Sequence, residues 1–305
     1  MGKVSFVFPG QGTQYPGMGK SLCEVSPAAA AVFAMADAVR PGTSTQCFAG
    51  TEAELQETKI TQPCLWAVEM AAAAALTEAG ISADVCAGFS LGELSALSYV
   101  SIVDMSTCFK LVCHRGKLMQ EAAEAVDTAM AAVVKLDNDT VEAICAQFEG
   151  VYPVNYNCPG QVTVAGLRSS MAAFSTAVKE AKGRALPLKV SGGFHSPFMA
   201  KAAEDFGEVL ANVEFHAPAI PLYSNLTGSL YGGDMKDLLK KQICSPVRWE
   251  TIIRNMIADG VDTFIEVGPG NVLQGLISKI DKTVRVFGVS DAESLAKTIQ
   301  EVKTC

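Results

Sequence analysis

Apolar and polar positions alternate between two periods along the chain, and the switches mark its elements. Lys3 to Phe8 is a short apolar run that reads as a buried strand. A glycine- and proline-rich loop follows from Pro9 to Gly19, then a helical pattern to about Val39, stopped by Pro41-Gly42. Gln62 to Ala79 predicts a second helix, with Pro63 in its first turn and Gly80 just past its end. Val85 to Phe89 is a further apolar run. Leu91 to Val100 is helix-prone, and Asp104 suits the N-cap of a helix reaching about Ala125.

Near residue 127 the pattern changes. Thr128–Leu136 predicts a strand, 137–148 a helix, and Val151–Asn157 and Gln161–Ala165 two strands joined at Pro159-Gly160. A helix from Ser169 or Ser170 to Lys182 and a strand over Arg184–Val190 complete a β-α-β-β-α-β unit, the ferredoxin-like plan. Longer alternation then resumes. Helices are expected over Pro197–Val213, Pro246–Ala258, Asn271–Ile280 and Ala292–Val302, and strands over Pro221–Asn225, Val261–Val267 and Val284–Val289. The expected fold is therefore α/β. A large domain with a parallel sheet (1–126 and 191–305) is interrupted by a small ferredoxin-like domain (127–190).

Composition narrows the function classes. The chain has 305 residues, 49% hydrophobic and 18% charged, which fits a well-cored protein and excludes disorder. A net charge of −8 gives no basic face for nucleic acid. No apolar run approaches the roughly 18 residues that span a bilayer. Strand signal begins at once, so no secretory leader is expected, and Phe6 stands where myristoylation needs Ser or Thr. The ten cysteines are scattered without a C-x-x-C pair and read as reduced cytoplasmic thiols acting as small hydrophobes. Three histidines without ligand spacing give no expectation of a metal.

The chemistry gathers at Gly88-Phe89-Ser90-Leu91-Gly92, between a strand and a helix. This G-x-S-x-G frame is a nucleophile elbow, a tight turn that lifts a hydroxyl clear of the backbone. The alternative is a structural turn with serine as helix cap. A serine needs a base in contact. His195, in the glycine-bearing loop Ser191-Gly192-Gly193-Phe194-His195-Ser196, is better placed than His114 within a helix or His216. No acid stands out to orient the imidazole. A backbone carbonyl can do so instead, which points to a Ser-His dyad.

Phe8-Pro9-Gly10-Gln11-Gly12, the elbow with Glu93, Arg115-Gly116-Lys117-Leu118-Met119-Gln120, Gly193-Phe194-His195-Ser196, Ser224-Asn225, Pro246-Val247-Arg248-Trp249 and Glu266-Val267-Gly268-Pro269-Gly270 occur in that order. Together they resemble malonyl-CoA:acyl carrier protein transacylases over about residues 4–290. The resemblance implies an α/β-hydrolase-like large domain. It also implies malonyl transfer from coenzyme A to the phosphopantetheine thiol of acyl carrier protein, through a Ser90 ester with His195 as base. Gln242 would orient His195 through its backbone carbonyl, and the N–H groups of Gln11 and Leu91 would form the oxyanion hole. An arginine on a helix is most often a solvated charge. The resemblance instead implies that Arg115 grips the malonyl carboxylate. Phe194 would exclude a methyl branch, and Phe89 replaces the histidine usual before the serine. No cofactor is implied, and the expected form is a cytoplasmic monomer. Lys179, Lys182, Arg184 and Lys189 could face an acidic carrier protein or be merely solvated. A polyketide rather than a fatty acid carrier, a serine thioesterase, and a non-catalytic docking module remain open.

Overall fold

The computed structural model describes residues 2–190 and 192–303. The apolar runs become strands β1 (Lys3–Phe8), β2 (Val85–Gly88), β3 (Thr128–Val134), β4 (Val151–Cys158), β5 (Gln161–Leu167), β6 (Arg184–Pro187), β7 (Leu222–Tyr223), β8 (Val261–Val267) and β9 (Arg285–Val289). They form two sheets. One is parallel throughout, in the order β7-β2-β1-β8-β9, and the other is antiparallel, in the order β4-β5-β3-β6. β1 and β2 carry Phe6, Val7, Phe8, Cys86 and Ala87, all fully buried, as expected for strands covered by helices on both faces.

The antiparallel sheet uses its two faces differently. Val133, Val162 and Val164 pack on Val141, Ile144, Phe174 and Val178 of helices Asn138–Cys145 and Arg168–Glu180. The opposite face, which includes Met130, Ala132, Asn155 and Thr163, looks onto the cleft between the sheets. Main-chain bonds tie β4 to the segment that precedes helix Trp249–Ala258. Tyr156 N–H donates to Val247 O (2.9 Å), and Val247 N–H donates to Val154 O (2.9 Å).

Several boundaries differ from expectation for local reasons. The first long helix is two, Lys20–Val25 and Pro27–Val39. Ser26 ends one in an extended conformation and caps the other through its hydroxyl. The helix expected from Gln62 starts at Thr58 and runs to Glu78, with Pro63 in its interior rather than its first turn. Helices Thr43–Ala49 and Glu52–Leu55 are additional to the expected elements; a capping box between Thr51 and Glu54 starts the second. The helix Met235–Gln242 is also additional to the expected elements. β6 ends at Pro187, although Leu188 N–H still bonds Met130 O. Pro197–Met199 is a 3-10 turn leading into helix Ala200–Ala211. The helix expected from Pro246 begins at Trp249, because Val247 is drawn into the seam with β4. The expected strand over Pro221–Asn225 keeps only Leu222–Tyr223. Ser191 lies outside the described residues.

Candidate active site

The elbow is built by close approach. A Cβ on Gly88 would lie 2.0 Å from the Gly92 carbonyl carbon, and one on Gly92 would lie 2.1 Å from Phe8 O. Only glycine lets the end of β1, the turn and helix Gly92–Tyr99 meet. Between them Ser90 adopts φ 55°, a left-handed conformation that costs a non-glycine residue on the order of 1 kcal/mol or more. Asn225 holds the strained turn from both sides. It accepts from Ser90 N–H through Oδ1 (2.7 Å) and donates through Nδ2 to Gly88 O (2.5 Å).

His195, also left-handed at φ 60°, brings Nε2 to 2.7 Å from Ser90 Oγ. Its Nδ1 is 2.8 Å from the backbone oxygen of Gln242. A carbonyl can only accept, so Nδ1 carries the proton and Nε2 presents a lone pair to the serine hydroxyl. Burial, followed by the positive charge of Arg115, pushes the imidazole pKa down from 6.5 to about 4. The ring is therefore neutral at physiological pH and competent as a base.

Arg115 lies in helix Met105–Ala125, which Asp104 caps through Thr107 N–H (3.0 Å). It is fully buried. Its Nη1 donates to Gln62 Oε1 (2.9 Å), while Nη2 donates to Gln242 Oε1 (2.9 Å) and Ser90 Oγ (3.2 Å). Burial lowers its pKa to about 10, against the opposing influence of Glu93. It forms no ion pair among the described residues, and its Nε has no partner there. A buried guanidinium held only by neutral oxygens is an incomplete arrangement that an anion would satisfy.

Ser90, His195, Gln11, Leu91, Phe89 and Phe194 all line one cavity of about 280 Å³. No hydrogen bond within the described residues occupies the backbone N–H of Gln11 or Leu91. The Gln11 side chain reaches away to Thr58 Oγ1 (3.3 Å). Phe89 meets Trp249 edge-on at 5.4 Å. His114 and His216 are exposed, away from this group.

Several contributors were not assigned from sequence. Gln62, Asn225, Glu93 and Tyr231 support the site from beneath. The side-chain amides of Asn155, Asn157 and Gln161 and the Thr163 hydroxyl line the same cavity as the elbow. Asn157 Nδ2 donates to Thr163 Oγ1 (3.0 Å), leaving its buried Oδ1 unpartnered. The motifs Ser224-Asn225 and Glu266-Gly270 now have physical purposes. Glu266 accepts from Leu273 N–H (3.0 Å) and Gln274 N–H (3.1 Å), fixing a helix whose Val272, Leu273 and Leu276 form the cavity's third side.

A family model for the acyl transferase domain matches residues 5–304, and the chain belongs to that family. Its relatives include proteins named malonyl CoA-acyl carrier protein transacylase. The one from Bacillus subtilis is 39% identical, over 99% of this chain and 98% of the relative. The one from Escherichia coli K12 is 36% identical, over 98% and 100%. The crystal structure of the Clostridium perfringens transacylase superposes with a TM-score of 0.96 at 35% identity, covering 99% of this chain and 98% of that one. A malonyl-transacylase in complex with a type II PKS acyl-carrier protein gives 0.94 at 35% identity, covering 98% and 99%.

Proposed function

We propose that the chain is an [acyl-carrier-protein] S-malonyltransferase. It would move malonyl from malonyl-CoA to the phosphopantetheine thiol of acyl carrier protein through a malonyl-Ser90 ester, in fatty acid biosynthesis. The observation that carries this reading is the convergence of His195 Nε2 and Arg115 Nη2 on one serine oxygen, at 2.7 and 3.2 Å. In the first half-reaction His195 Nε2 takes the Ser90 proton as Oγ attacks the thioester carbonyl. The developing oxyanion is met by the N–H groups of Gln11 and Leu91. Collapse expels the coenzyme A thiolate, which takes the proton back from Nε2. In the second half-reaction the carrier thiol gives its proton to Nε2 and attacks the ester, returning the hydrogen to Ser90. Gln242 O holds Nδ1–H throughout, so no acidic triad member is required.

Arg115 separates this reading from a hydrolase, which would have no use for a buried guanidinium beside the nucleophile. Bidentate hydrogen bonding to the malonyl carboxylate would complete its donor set. It would also neutralise the charge that depresses His195, so the base strengthens as the correct acyl group binds. Phe194 narrows the space beside the base, Phe89 lines the cavity in place of an imidazole, and the polar wall from Asn155 to Thr163 is where a thioester arm would lie.

The parallel sheet reads as an α/β-hydrolase-like domain over 1–126 and 191–305. The strand order β4-β5-β3-β6, with both helices on one face, reads as a ferredoxin-like domain over 127–190. The reading requires no resident cofactor or metal and places a monomer in the cytoplasm. No helix among the described residues is long and apolar enough to cross a membrane, and the nine cysteines described are free thiols. The carrier-bound relative favours a polyketide carrier as the second reading of the acceptor. Incubation with malonyl-CoA alone, followed by intact mass, tests the proposal. One malonyl group on Ser90 is expected, whereas turnover to free malonate would indicate a hydrolase.

A further inference from the structure

Glu93 follows the nucleophile by three residues, in the first turn of helix Gly92–Tyr99, and is fully buried. Its Oε2 accepts from Gln242 Nε2 (2.7 Å). Its Oε1 accepts from Asn225 N–H (3.3 Å) and from the Tyr231 hydroxyl. The other ionisable groups that face it are Arg115 and Tyr231. We infer that Glu93 is a positioning residue: it fixes which end of the Gln242 amide faces Arg115, and so aims the guanidinium at the acyl carboxylate.

The argument is one of donors and acceptors. Gln242 Nε2 donates both to Ser90 O (2.8 Å) and to Glu93 Oε2, and this leaves Oε1 toward Arg115 Nη2 (2.9 Å). Rotating the amide by half a turn would set an NH2 group against a guanidinium and a carbonyl oxygen against two acceptors. The carboxylate makes the flipped arrangement costly, because it would leave a buried acceptor stripped of its donor. The same residue supplies the carbonyl that holds His195 Nδ1–H. Glu93 thus occupies, one residue removed, the place of the acid that the Ser-His pair lacks.

The separation matters. A carboxylate in direct contact with Arg115 would consume its donors in an internal ion pair. Acting through a neutral amide, Glu93 orients the guanidinium while leaving it free for an external anion.

The inference rests on the reading of Arg115 as the carboxylate grip, and the experiment keeps the two apart. The ratio of kcat/KM for malonyl-CoA to that for acetyl-CoA is measured in native protein, Glu93→Gln, Gln242→Met and the double variant, with thermal melts alongside. A native ratio near one overturns the reading of Arg115 itself. With a native preference for malonyl, Glu93→Gln is expected to lower the ratio at least 10-fold while the protein still melts cooperatively. The double variant is expected to be no worse than Gln242→Met, since one residue acts through the other. An unchanged ratio, an equal fall for both acyl groups, or additive losses would each overturn the inference. If Glu93→Gln fails to fold, Glu93→Asp is read in its place by the same ratio.

Discussion

Arg115 Nη2 and His195 Nε2 approach the same atom, Ser90 Oγ, at 3.2 and 2.7 Å. A cation and a base sharing one hydroxyl would couple acyl selection to nucleophile activation. Replacing Arg115 by Ala should therefore cost the carboxylate-bearing acyl group most and the neutral one less. Losing a charge-assisted bidentate contact of about 1.5–3 kcal/mol predicts roughly a 10- to 100-fold fall in kcat/KM with malonyl-CoA. Acetyl-CoA, which has no carboxylate to lose, should fall less. Single-turnover acylation followed by mass checks both, and an equal loss for the two thioesters would contradict the grip.

Titration of the imidazole should be displaced to acid. His195 is held at about 4 rather than 6.5, so its ring signals, assigned by comparison with His195→Gln, should show an NMR midpoint near the lower value. Ser90 acylation should lose its base only on the same acid limb. The sign for stability follows. Between the two values the unfolded chain binds more protons than the folded one. This group's contribution is thus complete above pH 6.5 and lost as pH falls through the window to 4. A midpoint at the ordinary histidine value would remove the argument from burial and Arg115.

The turn itself should tolerate no side chain at its close approach. Gly92→Ala places a methyl group against Phe8 O and Pro9 O, all backbone, with no flexible group to yield. The expected cost is about 3 kcal/mol or more, read as a lowered urea midpoint or as insoluble protein. A variant with native midpoint and activity would mean that the elbow relaxes more easily than its geometry allows.

Branched substrates test the space beside the base. Phe194 is buried, 7% exposed, and lines the cavity next to His195. Phe194→Ser should raise kcat/KM for methylmalonyl-CoA relative to malonyl-CoA by roughly 10-fold or more, the range of about 1–3 kcal/mol that a methyl-sized pocket change commands. No change in this ratio in a folded variant would place the discrimination elsewhere.

What could be read from sequence was what short-range chemistry controls. The elbow, the glycine-bearing loop of His195 and the capped helix of Arg115 are local patterns, and each stands where the pattern placed it. The antiparallel unit was legible because its strands are spaced by hairpin and crossover lengths. Of the supporting shell, only the Gln242 carbonyl was legible, through the family resemblance, and it lies 2.8 Å from His195 Nδ1. The contacts that Glu93 makes with the Gln242 side chain, Asn225 and Tyr231 join residues distant in sequence and arise only through tertiary hydrogen bonds. Met235–Gln242 is short and rich in lysine, so no apolar period announced the helix that ends in Gln242. Pro63 mimicked a helix start because proline suits a first turn. Ile60 and Thr61 N–H, bonded to Glu57 O, show that the turn had already begun.

The pair of main-chain bonds between Val247 and β4 holds that strand against the chain leading into helix Trp249–Ala258. Backbone amides, unlike side chains, do not swing aside at a rotamer's expense. The spacing of β4 from the segment that precedes helix Trp249–Ala258 is thereby set by the main chain itself.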